Sequence, residues 1–190
     1  DVDDQNGSLD VKTAYVHGLE RFAIKIASGF QGNRAKGLPT GCGIMIVYSA
    51  LTGFPEAFLL DNIYLTSVRT GIAGAIAASY LAPKAFETAG VIGSGSQARY
   101  QMRGLRLVRD FKRLLVYGVL PDEVERYLQE MPAELGVEII PADSAEQVVR
   151  ESQVVVTTTP SRSPSSTASR RSRRRSGTRV SRSSRSSAHA

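Results

Sequence analysis

The chain has 190 residues, 42% of them hydrophobic, and a formal net charge of +6 at pH 7. Nine of its 24 basic residues lie in residues 161–190, which hold no acidic residue, so residues 1–160 carry 15 basic and 18 acidic side chains. The basic excess belongs to the C-terminal stretch, which argues against a broad basic face for nucleic acid on the rest of the chain.

The single cysteine, Cys42, excludes an intramolecular disulfide, and we expect it to be a small buried hydrophobe. The chain begins with a polar run, and its most apolar helical stretch, residues 71–82, is too short to span a bilayer. We therefore expect a cytoplasmic protein with no membrane partner.

Residues 9–61 are predicted to form β-structure. Segments 11–16 and 22–28 alternate polar and apolar positions, which is typical of half-buried strands. Residues 42–61 predict a strand, a tight turn at Thr52-Gly53 and a second strand. The long glycine-rich segment 29–41 lies between these pairs, and we expect it to be a binding loop.

From Thr66 the pattern changes to a helix with Thr and Ser at its start, a Gly/Ala face suited to close packing, and a stop at Pro83. Strands and helices then alternate up to residue 159, which predicts a parallel sheet with helices on its faces. The predicted strands are 88–93, 112–118, 136–141 and 153–159; the predicted helices are 96–110, 121–131 and 144–152.

Residues 161–190 contain twelve serines and nine arginines and show no apolar period. Such a composition cannot bury a core, so we expect this tail to be disordered. Serine–arginine segments can also bind RNA by neutralising its phosphates, but the acidic body and the lack of an aromatic stacking platform argue against nucleic acid as a partner.

The stretch GVIGSGSQARYQ, residues 90–101, joins a predicted strand to a predicted helix. In a dinucleotide-binding unit the first glycine makes the turn, the second lets the backbone approach the pyrophosphate, and a small third residue allows the helix to pack on the strand. Gly93, Gly95 and Ala98 occupy these positions. The absence of a following G-K-[ST] argues against a P-loop. A flexible turn without a ligand is the alternative.

This pattern predicts NAD or NADP as the cofactor, with the diphosphate at the start of the helix. The expected contacts also include residues at the end of a parallel strand, although these could be ordinary β-branched strand residues. An acid that binds the ribose, or an arginine for a 2′-phosphate, is expected just after the second strand, where Gly118, Val119 and Leu120 can do neither. Asp122 is close but is expected to begin the next helix, so the sequence leaves NAD and NADP open. The predicted cofactor-binding residues are Gly93, Gly95, Ser96, Gln97, Ala98, Thr157 and Thr158.

Four motifs occur in one order: FAIKIASGF, GLPTG, VRTGIAGAIAASYLAPKAFETA and GVIGSGSQAR. On these motifs, the chain resembles the ornithine cyclodeaminase/mu-crystallin family from about Val11 to about Pro160, most closely its ectoine-utilisation branch. The resemblance implies an α/β protein with a partial β-rich dimerisation and substrate domain (1–82) that ends in a linking helix. A partial Rossmann domain with a doubly wound parallel sheet (83–160) and the disordered tail (161–190) follow.

The family resemblance also implies a homodimer that transfers hydride at a carbon bearing an amino or imino group of an amino acid or a cyclic imine. It assigns catalysis to Lys25 and substrate binding to Arg69 and Thr40. The arginine fork suits a carboxylate, and a lysine with a lowered pKa can move a proton. Alternatively, Lys25 points to solvent and Arg69 caps its helix. His17 is expected to be structural, and no metal site is expected.

Chains of the family are longer at both ends, so we expect a truncated or frameshifted product. The missing second half of the Rossmann fold would leave the last strand without its neighbour. We therefore expect marginal stability and no turnover from the chain as written. A non-catalytic, cofactor-binding protein like mu-crystallin is the alternative.

Overall fold

The computed structural model describes residues 2–159, and the predictions for the tail lie outside these residues. The N-terminal half forms a four-stranded antiparallel sheet in the order β1-β2-β3-β4. The predicted loop 29–41 is shorter in the structure, because Gly29 pairs with Gly41 and the second strand (β2, Arg21–Phe30) extends into it. A short 3₁₀ helix, Gln31–Lys36, follows this strand. The strands are β1 (Gly7–Ala14), β2 (Arg21–Phe30), β3 (Gly41–Ser49) and β4 (Pro55–Leu59).

Helix α1 (Tyr64–Leu81) links the two halves and begins two residues before the predicted start. Its capping residue is Asp61 rather than a Thr or Ser, because the Asp61 carboxylate accepts the N–H of Leu65 at 2.6 Å. Ile63 turns the chain into the helix in the left-handed region at φ 75°. The helix ends as predicted before Pro83, with Ala82 extended.

The C-terminal half is a four-stranded parallel sheet in the order β7-β6-β5-β8, as the alternating pattern predicts. Because β6 lies on one side of β5 and β8 on the other, the strand order reverses direction at β5, as in half of a Rossmann fold. The elements are β5 (Thr88–Ile92), α2 (Ser96–Val108), β6 (Arg113–Tyr117), α3 (Pro121–Leu135), β7 (Glu138–Pro141), α4 (Ala145–Glu151) and β8 (Val154–Thr157).

The larger core lies between this sheet and the helices α2 and α3. Strand β5 is buried along its whole length, as expected for the central strand of a parallel sheet. Helix α4 covers the other face through Val148, which contacts Ile92 and Leu115. Among residues 2–159, no helix combines the length and the hydropathy needed to cross a membrane.

A close glycine contact joins α1 to α2. A Cβ on Gly104 would lie 2.4 Å from the main-chain oxygen of Gly71, and a Cβ on Gly71 would lie 2.5 Å from the oxygen of Tyr100. The two helices run in the same direction, because Gln97 meets Ser67 near their starts and Arg109 reaches Ser79 near their ends. The backbones can approach this closely only without side chains at the crossing.

One face of the antiparallel sheet is apolar; among the described residues, its side chains are mostly half-buried on the central strands and exposed on the edge strands. Side chains of paired residues point to the same face, and here they are mostly aliphatic or aromatic. Cys42 lies on this face and is exposed, so its expected burial is wrong. The apolar face consists of Leu9, Val11, Phe22, Ile24, Ile26, Ile44, Ile46, Tyr48 and Phe58.

Replacing Gly104 by valine is expected to lower the free energy of unfolding by about 2 kcal/mol, because the new Cβ must push α1 away from α2. Thermal unfolding followed by circular dichroism measures the effect. Gly32→Val is the control, since a Cβ there meets no atom within 4 Å. Equal melting temperatures for the two variants would contradict the close contact.

Candidate functional site

The glycine loop, residues 93–95, lies at the carboxyl end of β5, between the ends of the two neighbouring strands. The N–H of Gly93 donates to the oxygen of Tyr117 on β6 at 2.7 Å. On the other side, the N–H of Thr158 donates to the oxygen of Ile92 at 2.8 Å. The loop therefore lies where the strand order reverses, which is where open α/β sheets bind ligands.

Gly93 is required by the turn itself. It has φ 114°, in the left-handed region that favours glycine, and a Cβ there would lie 2.4 Å from Oγ1 of Thr158. Thr158 therefore packs against the glycine loop, and its contact with a cofactor stays a prediction. Thr157 is exposed at the end of β8 and pairs with Ile92.

Gly95 has a different role, because its backbone is extended at φ −79° and would accept any residue. A Cβ on Gly95 would meet no atom within 4 Å, so the lack of a side chain leaves the backbone open to a ligand. Ser96, also exposed, begins α2, and no side chain caps its first turn. The free N–H groups of this turn and the positive end of the helix dipole suit a diphosphate.

Two neighbouring side chains complete the base of the loop. Ala98 has no exposed surface and packs α2 against the sheet, so its role is the predicted helix–strand contact. Ser94 is also buried, and a Cβ on Gly118 would lie 2.5 Å from its Oγ. Gly118, directly after β6, therefore has no room for a side chain. These residues fit a dinucleotide.

Gln97 connects the glycine loop to the first part of the chain. Its side-chain amide donates to Oγ of Ser67 at 3.3 Å, and Ser67 is buried in α1 two residues before Arg69. The start of the predicted cofactor-binding helix thus lies beside the start of the helix that carries Arg69. The parallel course of α1 and α2 brings the two predicted sites to the same end of the molecule.

Lys25 lies on the face of β2 opposite the apolar face and is only 6% exposed. The alternative that it points to solvent is therefore wrong. Burial lowers the pKa of Lys25, and the positive charges of Arg69 and Lys12 lower it further, while Asp10 opposes the shift. Among the described residues, no carboxylate lies within 4 Å of the Lys25 amine. A lysine in this environment is suited to giving up a proton.

The structure brings Arg69 and Lys25 within electrostatic reach of each other and places Thr40 away from Lys25. Arg69 is exposed on α1 and makes no salt bridge among residues 2–159. Thr40 lies opposite Phe30, whose N–H donates to the Thr40 oxygen at 2.8 Å. This position is five residues, or about 16 Å, from Lys25 along the strand. Electrostatic repulsion therefore links Lys25 with Arg69, and Thr40 lies apart from Lys25.

Sequence analysis did not single out Arg99, whose Nη1 donates to the main-chain oxygen of Ser94 within the glycine loop at 2.6 Å. Its position directly after Ala98, the last residue of the glycine motif, could have indicated a contact with the loop. A side chain at this place in the first turn of a helix can fold back toward the residues before the turn.

Lys25→Met is expected to raise the melting temperature near neutral pH, because it removes a buried charge without a close acidic partner. The pKa of Lys25 is lower in the folded chain than its usual value of 10.5 in the unfolded chain. The unfolded state therefore binds more protons between these two pKa values, and the stability of the unsubstituted chain rises with pH there.

The stabilisation by Lys25→Met should consequently shrink as the pH approaches 10.5. Melting curves from pH 7 upward, compared with those of the exposed-site variant Lys84→Met, measure this trend. A constant difference between Lys25→Met and the unsubstituted chain at every pH would contradict it.

A model of the ornithine cyclodeaminase/mu-crystallin family matches residues 1–170, a longer stretch than the motifs alone cover. A protein of Sinorhizobium fredii described as an uncharacterized cyclodeaminase is 43% identical over 164 residues, which are 86% of this chain and 50% of that protein. The chain thus spans about half the length of the curated relatives it matches.

Two solved structures resemble the described fold. An archaeal alanine dehydrogenase dimer with bound NAD has a TM-score of 0.75 and 37% identity, over 84% of this chain and 48% of that one. The Δ1-pyrroline-2-carboxylate reductase of Thermococcus litoralis, in complex with NADH and L-proline, has a TM-score of 0.68 and 28% identity, over 82% and 53%. Taken together with the family match, these findings show that the chain belongs to the ornithine cyclodeaminase/mu-crystallin family.

Proposed function

We propose that the chain binds a nicotinamide dinucleotide at the glycine loop and forms part of an enzyme that acts on amino acids or cyclic imines. The observation that carries the proposal is the position of Gly93 and Gly95 at the reversal of strand order, directly before the uncapped start of α2. The two solved structures described above, which hold NAD and NADH, support it.

In this proposal the N–H groups of Gly95, Ser96 and Gln97 bind the diphosphate, and the dipole of α2 adds to the attraction. Thr157 and Thr158 bound the other side of the crevice at the end of β8. When bound, the cofactor supplies hydride transfer. The protein contributes the position and the orientation of the reacting carbon.

The substrate we propose is a small amino acid or the corresponding cyclic imine. Arg69 binds its carboxylate through the guanidinium, and the buried amine of Lys25 holds or accepts a proton at Nζ. The proline in the reductase complex and the cyclodeaminase name of the Sinorhizobium relative support this substrate class. Thr40 stays a predicted substrate contact, at a distance from Lys25.

Several finer expectations remain predictions for the whole protein. They are the ectoine-utilisation branch, the cytoplasmic location, the boundary between domains 1–82 and 83–160, and the loss of turnover in the chain as written. A non-catalytic cofactor-binding role, as in mu-crystallin, requires only the glycine loop. RNA binding would have to come from residues 161–190, which lie outside the described part.

We propose that a second copy of the chain covers the apolar face of the antiparallel sheet. Leu9, Val11 and Phe58 on this face are 55%, 59% and 65% exposed, an unfavourable arrangement for a monomer in water. The dimer reported for the archaeal alanine dehydrogenase supports this partner. The antiparallel sheet would then serve dimerisation and the parallel sheet cofactor binding.

Gly95→Val is expected to weaken NADH binding at least about tenfold, because the valine side chain would occupy the space above the exposed backbone. The melting temperature should stay nearly constant, since the backbone at Gly95 accepts valine and no atom lies within 4 Å of the new Cβ. NADH fluorescence titration measures the affinity. Unchanged affinity would contradict diphosphate binding at this loop.

We further propose that NAD(H) is preferred over NADP(H). The first turn of α3, next to the end of β6, contains Asp122 and Glu123. The two arginines nearby, Arg34 and Arg126, both pair with Glu123, at 3.7 and 2.9 Å. A 2′-phosphate at this place would meet two carboxylates and no uncommitted cation from the described residues.

NADH is therefore expected to bind at least about tenfold more tightly than NADPH at low ionic strength. Glu123→Gln should narrow this difference, because it removes one carboxylate and frees both arginines. Glu125→Gln, on the same helix, is the control. Parallel titrations with both cofactors test the preference, and tighter binding of NADPH by the unsubstituted chain would overturn it.

A further inference from the structure

Arg99 on α2 contacts both the glycine loop and helix α3. Its Nη1 donates to the main-chain oxygen of Ser94 at 2.6 Å, and its Nε and Nη2 lie 2.9 and 2.8 Å from Oε2 of Glu130 on α3. The guanidinium also lies over the ring of Tyr127, 5.2 Å from its centre. The Arg99 side chain is only 14% exposed, so it is held in this place.

The contact with Ser94 bears on the direction of a neighbouring N–H. The oxygen of Ser94 and the N–H of Gly95 belong to the same planar trans peptide, so they point in opposite directions. When Arg99 draws the Ser94 oxygen toward α3, the N–H of Gly95 is turned away from α3. No acceptor among residues 2–159 receives this N–H, which is left for a ligand above the loop.

Tyr127 and Glu130 make this arrangement rigid. Tyr127 has no exposed surface, and burial raises its pKa, so the ring under the guanidinium stays a neutral phenol. Glu130 neutralises the charge of Arg99 from the other side. Because the arginine uses its fork for Glu130 and its remaining nitrogen for Ser94, no shorter or less branched side chain could make all of these contacts.

The next turn provides a comparison within the same pair of helices. Arg103 pairs with Glu134 of α3 through Nε and Nη2, and its guanidinium lies over the Tyr100 ring at 4.9 Å. Arg103 therefore joins α2 to α3 much as Arg99 does, four residues further along each helix, but it has no contact with the glycine loop. A purely structural role would be shared by both arginines, whereas a role in the loop belongs to Arg99 alone.

We propose that Arg99 is a positioning residue for the cofactor diphosphate: by holding the Ser94 carbonyl against α3, it orients the Gly95 N–H toward the ligand. This inference rests on the proposed binding of a nicotinamide dinucleotide at the glycine loop. It adds that the backbone alone does not set the geometry of the loop. A side chain from the first turn of α2, braced by α3, sets it.

The test compares Arg99→Gln, Arg99→Lys and Arg103→Gln in the full 190-residue chain, with Gly95→Val as the variant that reports on the site itself. NADH is the probe, and its fluorescence titration gives the dissociation constant for each variant. Thermal unfolding of the same samples gives the structural cost. Arg99→Gln and Arg103→Gln each remove one ion pair with α3, so we expect similar decreases in melting temperature.

We expect Arg99→Gln to weaken NADH binding about tenfold, while Arg103→Gln leaves it within about twofold of the unsubstituted chain. Arg99→Lys should recover part of the affinity, because a lysine can reach the Ser94 oxygen but cannot also bind Glu130. Equal dissociation constants for Arg99→Gln and Arg103→Gln would overturn the inference. If those two constants are equal but Gly95→Val still weakens NADH binding, the proposed cofactor site stands and only the inference about Arg99 is overturned. If the unsubstituted chain binds no NADH, both the proposed function and the inference about Arg99 are overturned.

Discussion

Two main-chain hydrogen bonds at the end of β5 hold the candidate site together. Ile92 accepts from Thr158 and Gly93 donates to Tyr117, so three strand ends and the start of α2 meet within one turn of backbone. These bonds need no particular side chain, but they require a residue at Gly93 that tolerates a positive φ and leaves room for Thr158. The site is thus built first from backbone geometry and only then from side chains.

Backbone contacts also determine how the helices between the two sheets pack. The glycine contact between α1 and α2 brings their backbones together, and the bond from Gln97 to Ser67 aligns the starts of the two helices. Because Arg69 follows Ser67 on α1, its charge reaches the end of the molecule where the glycine loop lies. A wider helix spacing would separate the predicted substrate residues from the predicted cofactor site.

The burial of Lys25 lowers the stability of the folded chain. A lysine amine on a covered sheet face loses hydration, and the nearby positive charges oppose it further. The same conditions lower its pKa, and in the proposed function this lowered pKa suits proton transfer. Such conflicts between stability and function recur at enzyme sites. The core formed by α2, α3 and the parallel sheet supplies stability elsewhere in the chain that can offset this cost.

Much of the fold follows from local patterns. The alternation of strands and helices after residue 88 specified the parallel sheet, and the glycine spacing specified the turn before α2, because both depend on neighbours in the chain. Local patterns misplaced the start of α1, where Asp61 caps the helix from outside the expected Thr/Ser run. They also misjudged Cys42, because strand alternation does not say which face will be covered.

The sequence by itself therefore determined the elements, their order and the residues around the glycine loop, since these depend on short-range periodicity and on where glycine is needed. Only the tertiary structure decided that Lys25 is buried, that Arg69 lies within reach of it and that Thr40 does not. It alone placed Arg99 on the Ser94 carbonyl. These facts depend on how separate elements pack, and residues distant in the chain leave no periodic signal of their contacts.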